Sequence, residues 1–147
     1  MISFTEFLNE LFDSNIPFKK TNSGQDVIYS FKVDGIYIRA IFEYFKSTDE
    51  YDMNFSRVGE SPEIKNSNKN EYKIFSTIIE IFKDFIDDSR DTGKYITFSA
   101  NLDEPSRVKL YDTFQKNIGK YTKKYTYFTQ KFEDGYKIYK FKRVDND

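Results

Sequence analysis

The chain has 147 residues, which is enough for one domain with its own buried core, and its formal net charge is −1. It contains no cysteine and no histidine, which excludes disulfides, thiolate metal sites, cysteine nucleophiles and a Ser-His-Asp triad. Any acid–base chemistry must therefore use Asp, Glu, Tyr, Lys or a bound water, and we predict no metal site. No apolar run approaches the length of a membrane span and no signal-peptide pattern opens the chain, so we expect a soluble intracellular protein.

The N-terminal half of the sequence predicts a helix, a connection and three antiparallel strands. Met1–Ser14 has apolar residues at helical spacing behind a Ser-x-x-Glu capping box, and Asn15–Asp26 has the composition of a linker. The dipeptide Asp34-Gly35 favours a type I′ hairpin turn. Three runs have the patterns of strands: Val27–Val33, Ile36–Phe45 and Tyr51–Val58.

The C-terminal half predicts a long helix, a buried strand, a second helix and a hairpin. Glu71–Asp88 carries apolar residues at the i, i+3, i+4, i+7 spacing of a helix. Tyr95–Phe98 is a short apolar run that leads through the polar turn Ser99–Asn101 into a helix with Pro105 in its first turn. The last segments are a linker and two strands about an Asp-Gly turn: Gly119–Lys123, Lys124–Phe132 and Tyr136–Arg143.

This element order predicts a single α+β domain over residues 1–147, with a mixed, mainly antiparallel sheet and its helices packed on it over residues 27–144. The order resembles the acetyltransferase fold of the GNAT superfamily. In that family a meander leads to a helix whose N-terminus holds the coenzyme A pyrophosphate, and a parallel strand, a further helix and a closing strand pair follow. Leu110-Tyr111 match the end of the family's Asn-x-x-Ala-x-x-Leu-Tyr helix motif, whereas Glu104 and Arg107 replace its Asn and Ala.

The family's pyrophosphate loop reads Arg/Gln-x-x-Gly-x-Gly/Ala, and its glycines let backbone N–H groups reach the phosphates. The corresponding segment Arg57–Pro62 has a different glycine spacing, and Glu60 and Glu63 would repel a pyrophosphate. We therefore predict no cofactor. Acetyl-CoA enters only under the alternative that the chain is an active N-acyltransferase with a divergent loop.

Four residues are candidates for a ligand or catalytic site. The resemblance implies that Tyr111 would be the general acid that protonates the departing thiolate, although its helical spacing with Val108 and Phe114 favours a core tyrosine. Arg107 near a helix start could meet an anion, and the alternative is a solvated side chain. Ser99 and Asn101 follow a strand expected to be parallel, which is a favoured ligand position, but turn chemistry also explains them.

Residues 115–144 form a basic region that contains nine Lys and Arg but only two acidic residues. Its net charge is +7, whereas the remaining residues of the chain sum to about −8. Tyrosines interleave with these cations, so the hairpin could bind single-stranded nucleic acid or an acidic protein partner. The alternative is an edge hairpin guarded by lysines against aggregation. The candidate residues of this basic patch are Lys116, Lys120, Lys123, Lys124, Lys140, Lys142 and Arg143.

The N-terminus carries a second resemblance. Met1–Glu10 is similar to the capsid-targeting N-termini of internal head proteins in T-even-type tailed phages, and Leu8-Asn9-Glu10 matches their aliphatic-x-Glu processing site. This resemblance implies a phage origin more than it implies cleavage after Glu10.

Together these patterns predict a small bacteriophage protein with a GNAT-like fold that is not an enzyme. It would bind a macromolecule of host or phage, with a protein favoured over nucleic acid as the partner, and would act in the host cytoplasm or the virion. The sequence leaves the oligomeric state open, and we predict no membrane association. The rival functions are an active acyltransferase that uses Tyr111 and a nucleic-acid-binding module that uses the basic hairpin.

Overall fold

A computed structural model describes residues 16–58, 68–87 and 93–144. The helix predicted over Met1–Ser14 lies outside these residues. Segment 59–67 also lies outside them, and it includes Gly59 of the segment compared with the pyrophosphate loop. The strands are β1 (Phe18–Ser23), β2 (Asp26–Val33), β3 (Ile36–Phe45), β4 (Glu50–Arg57), β5 (Tyr95–Asn101), β6 (Tyr125–Glu133) and β7 (Tyr136–Arg143). The helices are α1 (Asn68–Asp87), α2 (Pro105–Lys116) and α3 (Ile118–Tyr121).

Within the described residues, seven strands form one sheet in the order β1-β2-β3-β4-β5-β7-β6. Strand β4 is parallel to β5, whereas β1 with β2, β5 with β7 and β6 with β7 pair in antiparallel fashion. The predicted α+β class and mixed sheet are thus confirmed. From β2 onward the element order is consistent with the GNAT-like topology that the resemblance implied.

Both predicted Asp-Gly turns form hairpins, because each residue pair adopts the positive φ that the turn requires. Asp34 and Gly35 have φ of 48° and 83°, and Asp134 and Gly135 have 52° and 81°. The register of the second hairpin follows directly, since Glu133 pairs with Tyr136 across the turn.

Three predicted connections are wrong in part. Phe18–Ser23, expected in the linker over residues 15–26, forms β1 and pairs with β2 from Phe18↔Phe31 to Ser23↔Asp26. Ser99–Asn101, expected as a turn, continues β5 because β7 supplies backbone partners as far as Asn101↔Tyr136. Within the linker predicted over Gly119–Lys123, Gly119–Tyr121 belongs to helix α3. In each case long-range pairing or packing overrides local composition.

The described residues fall into two compact units that divide strands β3 and β4 between them. The first comprises residues 16–41, 55–58 and 68–85 of the described chain. Its core joins the inward residues of β2 to the apolar stripe of α1, and Phe55 meets Phe75 edge-on with ring centroids 6.3 Å apart.

The second unit comprises residues 42–54, 86–87 and 93–144 of the described chain, and it holds every described candidate site residue. Helix α2 packs on one face of β5 and β7, where Leu110, Tyr111 and Phe114 are buried among the rings of Phe98 and Phe141. We call this the helix-covered face. The opposite face of β5, β7 and β6, which we call the distal face, carries alternate residues of each strand, among them Tyr95, Thr97, Ser99, Asn101, Tyr136, Lys140, Lys142 and Phe128.

Candidate functional site

Tyr111 lies on the helix-covered face and is 1% exposed. Its ring packs between Phe98 and Tyr139, with centroid separations of 5.1 and 5.6 Å. Burial raises the pKa of the Tyr111 phenol to about 12, and the nearby Arg107 guanidinium only partly opposes this effect. The side chain is therefore a protonated core tyrosine, as its helical spacing indicated.

The Tyr111 hydroxyl donates to the thioether of Met53, with 4.0 Å between Oη and Sδ. Met53 is itself buried on β4, one residue pair beyond the Asp52↔Thr97 pair of the parallel β4–β5 ladder. The phenolic proton of Tyr111 is thus directed at a sulfur atom of the protein itself. This placement does not fit a phenol that donates its proton to acetyl-CoA.

Arg107 is buried at the first turns of α2, although we expected a surface residue there. Its Nε lies 3.2 Å from Oε2 of Glu104, the residue that precedes the helix. The pair matches the two residues that replace the Asn and Ala of the family motif. Arg107 is therefore engaged in an ion pair with the N-cap residue of α2.

Ser99 and Asn101 lie at the carboxyl end of β5 on the distal face, and both are half-buried. Asn101 Oδ1 accepts a hydrogen bond of 2.9 Å from the backbone N–H of Asp103, and Asn101 O accepts another from Glu104. This is the Asx-turn chemistry that the sequence offered as the alternative. The Asn101 side chain therefore directs the chain from β5 into α2.

The basic patch does not form one surface. Lys140 and Lys142 lie on the distal face, whereas Arg143 alternates to the helix-covered side of β7. The other candidates are exposed on α2, α3 and the segment before β6: Lys116, Lys120, Lys123 and Lys124. Lys124 uses its Nζ to cap the carbonyl of Ile86 at 3.2 Å, so it has a structural contact.

A cluster of aromatic rings and ammonium groups occupies the distal face. The rings of Tyr95 and Phe128 lie 5.5 Å apart and are tilted by 44°. Lys140 and Lys94 lie over the Tyr95 ring at 5.0 and 5.6 Å from its centroid, and Lys142 lies over Phe128 at 5.6 Å. These distances are within the range of cation–π attraction. We call these five residues the distal cluster.

A β-bulge in β6 places Phe128 in this cluster. The pairing with β7 shifts between Tyr127 and Thr129, so that Phe128 has no direct partner there. Bulges redirect a side chain while the strand continues. Sequence reasoning missed Phe128 and Tyr95 as site residues because a bulge leaves no local sequence signal and Tyr95 looked like part of a buried run.

Polar residues adjoin the distal cluster on β4 and β5. Lys140 Nζ pairs with Glu50 Oε2 at 3.0 Å. Burial, followed by repulsion from Glu50 and Glu43, raises the pKa of the Asp52 carboxyl to about 6, with Lys140 opposing the shift. The oxygen atoms Asp52 Oδ1 and Thr97 Oγ1 are buried and have no hydrogen-bond partner among the described residues. Asp52 lies between Tyr51 and Met53, and Thr97 lies between Ile96 and Phe98. A polar residue between apolar neighbours was the sequence signal for this region.

Within the described ranges, no group of three or more Asp or Glu side chains is arranged so that it could hold a metal ion. None of the helices in the described part of the chain has both the length and the hydropathy needed to cross a bilayer.

No protein-family model matches the chain, and no curated protein is a match. Similar solved structures include forms of the spermidine N-acetyltransferase SpeG from Vibrio cholerae. A chimera of SpeG with hSSAT is 8% identical with a TM-score of 0.42, over 82% of this chain and 68% of that one. A mutant of SpeG is 12% identical with a TM-score of 0.40, over 95% of this chain and 73% of that one. A second chimera is 12% identical, with a TM-score of 0.41 over 95% and 75% of the two chains.

Proposed function

We propose that this chain is a non-catalytic protein of GNAT-like topology that binds a macromolecule of a host cell or of a phage. The contact between the Tyr111 hydroxyl and Met53 Sδ carries the proposal. A general acid must reach the atom that it protonates, within hydrogen-bond distance or through one water. Here the hydroxyl is directed at a thioether inside the core, and Tyr111 is almost completely enclosed.

The chemistry of the remaining groups supports the same conclusion. Arg107 is paired with Glu104 through Nε, and Asn101 Oδ1 supports a turn, so each side chain already has a structural contact within the chain. The segment Arg57–Pro62 lacks the glycine spacing of a pyrophosphate loop and contains Glu60. We assign no reaction step to acetyl-CoA.

The phage assignment rests on Met1–Glu10 alone, whose pattern is similar to capsid-targeting sequences. A phage origin implies that the protein acts in the cytoplasm of an infected host or in the virion. Mass spectrometry of purified virions tests this directly. A chain that begins at Leu11 would demonstrate processing after Glu10, and a chain present at full length would show packaging without cleavage; absence from both virions and infected cells contradicts the phage assignment.

Calorimetric titration of the folded chain with acetyl-CoA tests the absence of catalysis. We expect no saturable heat at millimolar cofactor. A micromolar dissociation constant would overturn the proposal and favour the acyltransferase.

A matched variant separates the two readings further. If the chain were an acyltransferase, Tyr111→Phe would lower its turnover by about 100-fold or more, because the proton donor would be lost. The same change keeps the ring and removes only the hydroxyl, so the fold is retained. An acetylation assay on polyamine and peptide amines that shows no turnover with either form supports the binding function.

A further inference from the structure

We infer that the distal face binds single-stranded nucleic acid, with bases stacked on Phe128 and Tyr136 and phosphates held by Lys94 and Lys142. This inference rests on the proposed function, for which it names the partner and the surface. It is carried by the placement of aromatic rings and cations on one face of three adjacent strands.

The first step is an exposed stacking surface. Phe128 is 49% exposed on β6, although its neighbour Tyr95 is half-buried. The bulge holds Phe128 against Tyr95 with their rings 5.5 Å apart, so one ring supports the other and the outer ring remains available. Stacking of a base on such a ring is tolerant of sequence because every base has a flat aromatic face.

A second exposed ring lies on the same face. Tyr136 is 43% exposed and pairs with Asn101, at the end of β5 opposite to Tyr95. Asn101 lies six residue steps along the strand from Tyr95, a distance of about 20 Å. Phe128, which packs on Tyr95, and Tyr136 therefore lie at the two ends of a surface long enough for several nucleotides. Sheet-based RNA-binding modules likewise stack two or three bases across their strands.

Two lysine ammonium groups flank the stacking surface. Lys142 lies 5.6 Å from the centroid of Phe128, and Lys94 lies 5.6 Å from that of Tyr95. In the described part of the chain neither ammonium has a carboxylate partner, whereas Lys140 is paired with Glu50. Lys94 and Lys142 can thus exchange their counterions for phosphates, which is the main source of affinity for a single strand.

A buried hydroxyl adds a hydrogen-bonding group. Thr97 is only 7% exposed, pairs with Lys140 across the strands, and has no partner for Oγ1 among residues 16–58, 68–87 and 93–144. Buried polar atoms are normally satisfied, so an orphan hydroxyl on this face indicates a bound water or ligand oxygen.

The composition of the face favours nucleic acid over an acidic protein. The cores of protein–protein interfaces are depleted in lysine, whereas single-strand binding combines aromatic rings with lysines along the backbone. Three lysines lie over the rings of Tyr95 and Phe128 here. The net charge of +7 over residues 115–144 would raise the local concentration of a polyanion.

Fluorescence anisotropy with a labelled oligothymidylate of about 15 nucleotides tests the inference on the full chain. We expect binding at about 50 mM salt that weakens steeply by about 200 mM. Phe128→Ala should weaken binding about tenfold through lost stacking. Lys142→Ala should reduce the slope of log affinity against log salt by about 0.7, the value for one phosphate contact to a single strand.

Phe132→Ala is the matched control. Phe132 is the same residue type on the same strand and is 64% exposed, but it pairs with Lys137 on the side of the helix-covered face. Its removal should leave the affinity unchanged. Equal losses for Phe128→Ala and Phe132→Ala would show that general hydrophobic contact, rather than the distal face, drives binding.

Two further results would overturn the inference. No change in anisotropy at low salt would exclude a nucleic-acid partner, while the calorimetric test with acetyl-CoA would still decide the proposed function independently. A dimer in light scattering that Phe128→Ala converts to a monomer would assign the face to a second copy of the chain. Circular dichroism checks that each variant folds, and Lys142→Glu, which should abolish binding, replaces Phe128→Ala if that variant does not.

Discussion

The hydroxyl of Tyr139 on β7 donates a hydrogen bond of 2.6 Å to Oδ1 of Asp112 on α2. The same oxygen accepts a hydrogen bond of 2.7 Å from Nζ of Lys137. Partial burial alone would raise the pKa of Asp112, but the hydrogen bonds from Lys137 and Tyr139 outweigh it and hold that pKa below its usual value. Burial and the Asp112 carboxylate both raise the pKa of Tyr139. A carboxylate thus ties α2 to the sheet beneath it.

Asp112→Asn should lower the free energy of unfolding by about 1–2 kcal/mol at neutral pH, because a charged acceptor is replaced by a neutral amide. The loss of unfolding free energy is small because the carboxylate is partly exposed to solvent. Urea denaturation measures it. Asp103→Asn is the control, since Asp103 is exposed beside the same helix and its change should cost less than about 0.5 kcal/mol.

The same contact predicts a dependence on pH. Asp112 has a lower pKa in the folded state than in the unfolded chain, so its stabilisation is complete above the unfolded value near 4 and is lost as the pH falls through the folded value. The difference between the parent and Asp112→Asn should therefore shrink in acid. A difference that stays constant down to pH 2 would show that the carboxylate charge has no part in the contact.

The pKa of Asp52 is shifted in the opposite direction, so its effect on stability has the opposite dependence on pH. Burial, Glu50 and Glu43 raise its pKa to about 6, above the unfolded value near 4, so the folded state holds a proton that the unfolded state releases. Stability conferred by that difference is present at pH 4 and falls as the pH rises toward 6. Asp52→Asn should therefore stabilise the protein at pH 7 by about 1 kcal/mol, after allowance for partial solvent exposure, and should change little at pH 4.

Thermal unfolding at pH 4, 5, 6 and 7 checks this prediction. Glu50→Gln supplies a second measurement, because removal of the neighbouring charge should move the Asp52 transition toward lower pH. If Asp52→Asn instead destabilises the protein equally at all four pH values, the carboxyl acts as a hydrogen-bonding group and its charge is not the source of the strain.

The elements that the sequence predicted correctly are those with local determinants. The turns at Asp34-Gly35 and Asp134-Gly135 need positive φ at both residues, and α1 has an apolar stripe from Ile74 to Ile86. Strand β1 was missed because it is an edge strand whose outward residues are polar, and only its pairing with β2 makes it a strand. The helical spacing of Tyr111 with Val108 and Phe114 favoured a core residue, and Tyr111 is buried, but no local pattern could show that Met53 would accept its hydrogen bond.

Strand β1 has a testable anchor in Asp84 on α1. Tyr29 donates its hydroxyl to Asp84 Oδ2 at 2.8 Å, and Lys20 of β1 lies 3.3 Å from the same oxygen. Asp84→Ala should release both groups, lower the free energy of unfolding by about 1–2 kcal/mol and increase amide exchange in β1 before the rest of the sheet. Hydrogen-exchange mass spectrometry resolves the two effects. Unchanged protection of β1 would mean that its backbone pairing alone holds it.

Tyr111→Phe distinguishes packing from chemistry within the core. The hydroxyl meets a thioether, which is a weak acceptor, so its loss should change the free energy of unfolding by less than about 1 kcal/mol. Tyr111→Ala removes the whole ring from a site between Phe98 and Tyr139 and should cost about 3–5 kcal/mol. Urea denaturation of the two variants measures both losses of unfolding free energy. If Tyr111→Phe costs as much as Tyr111→Ala, the hydroxyl is a structural donor in its own right. If both fold normally but only the phenol supports acetyl transfer, the buried tyrosine reaches a substrate after all, and the binding function fails.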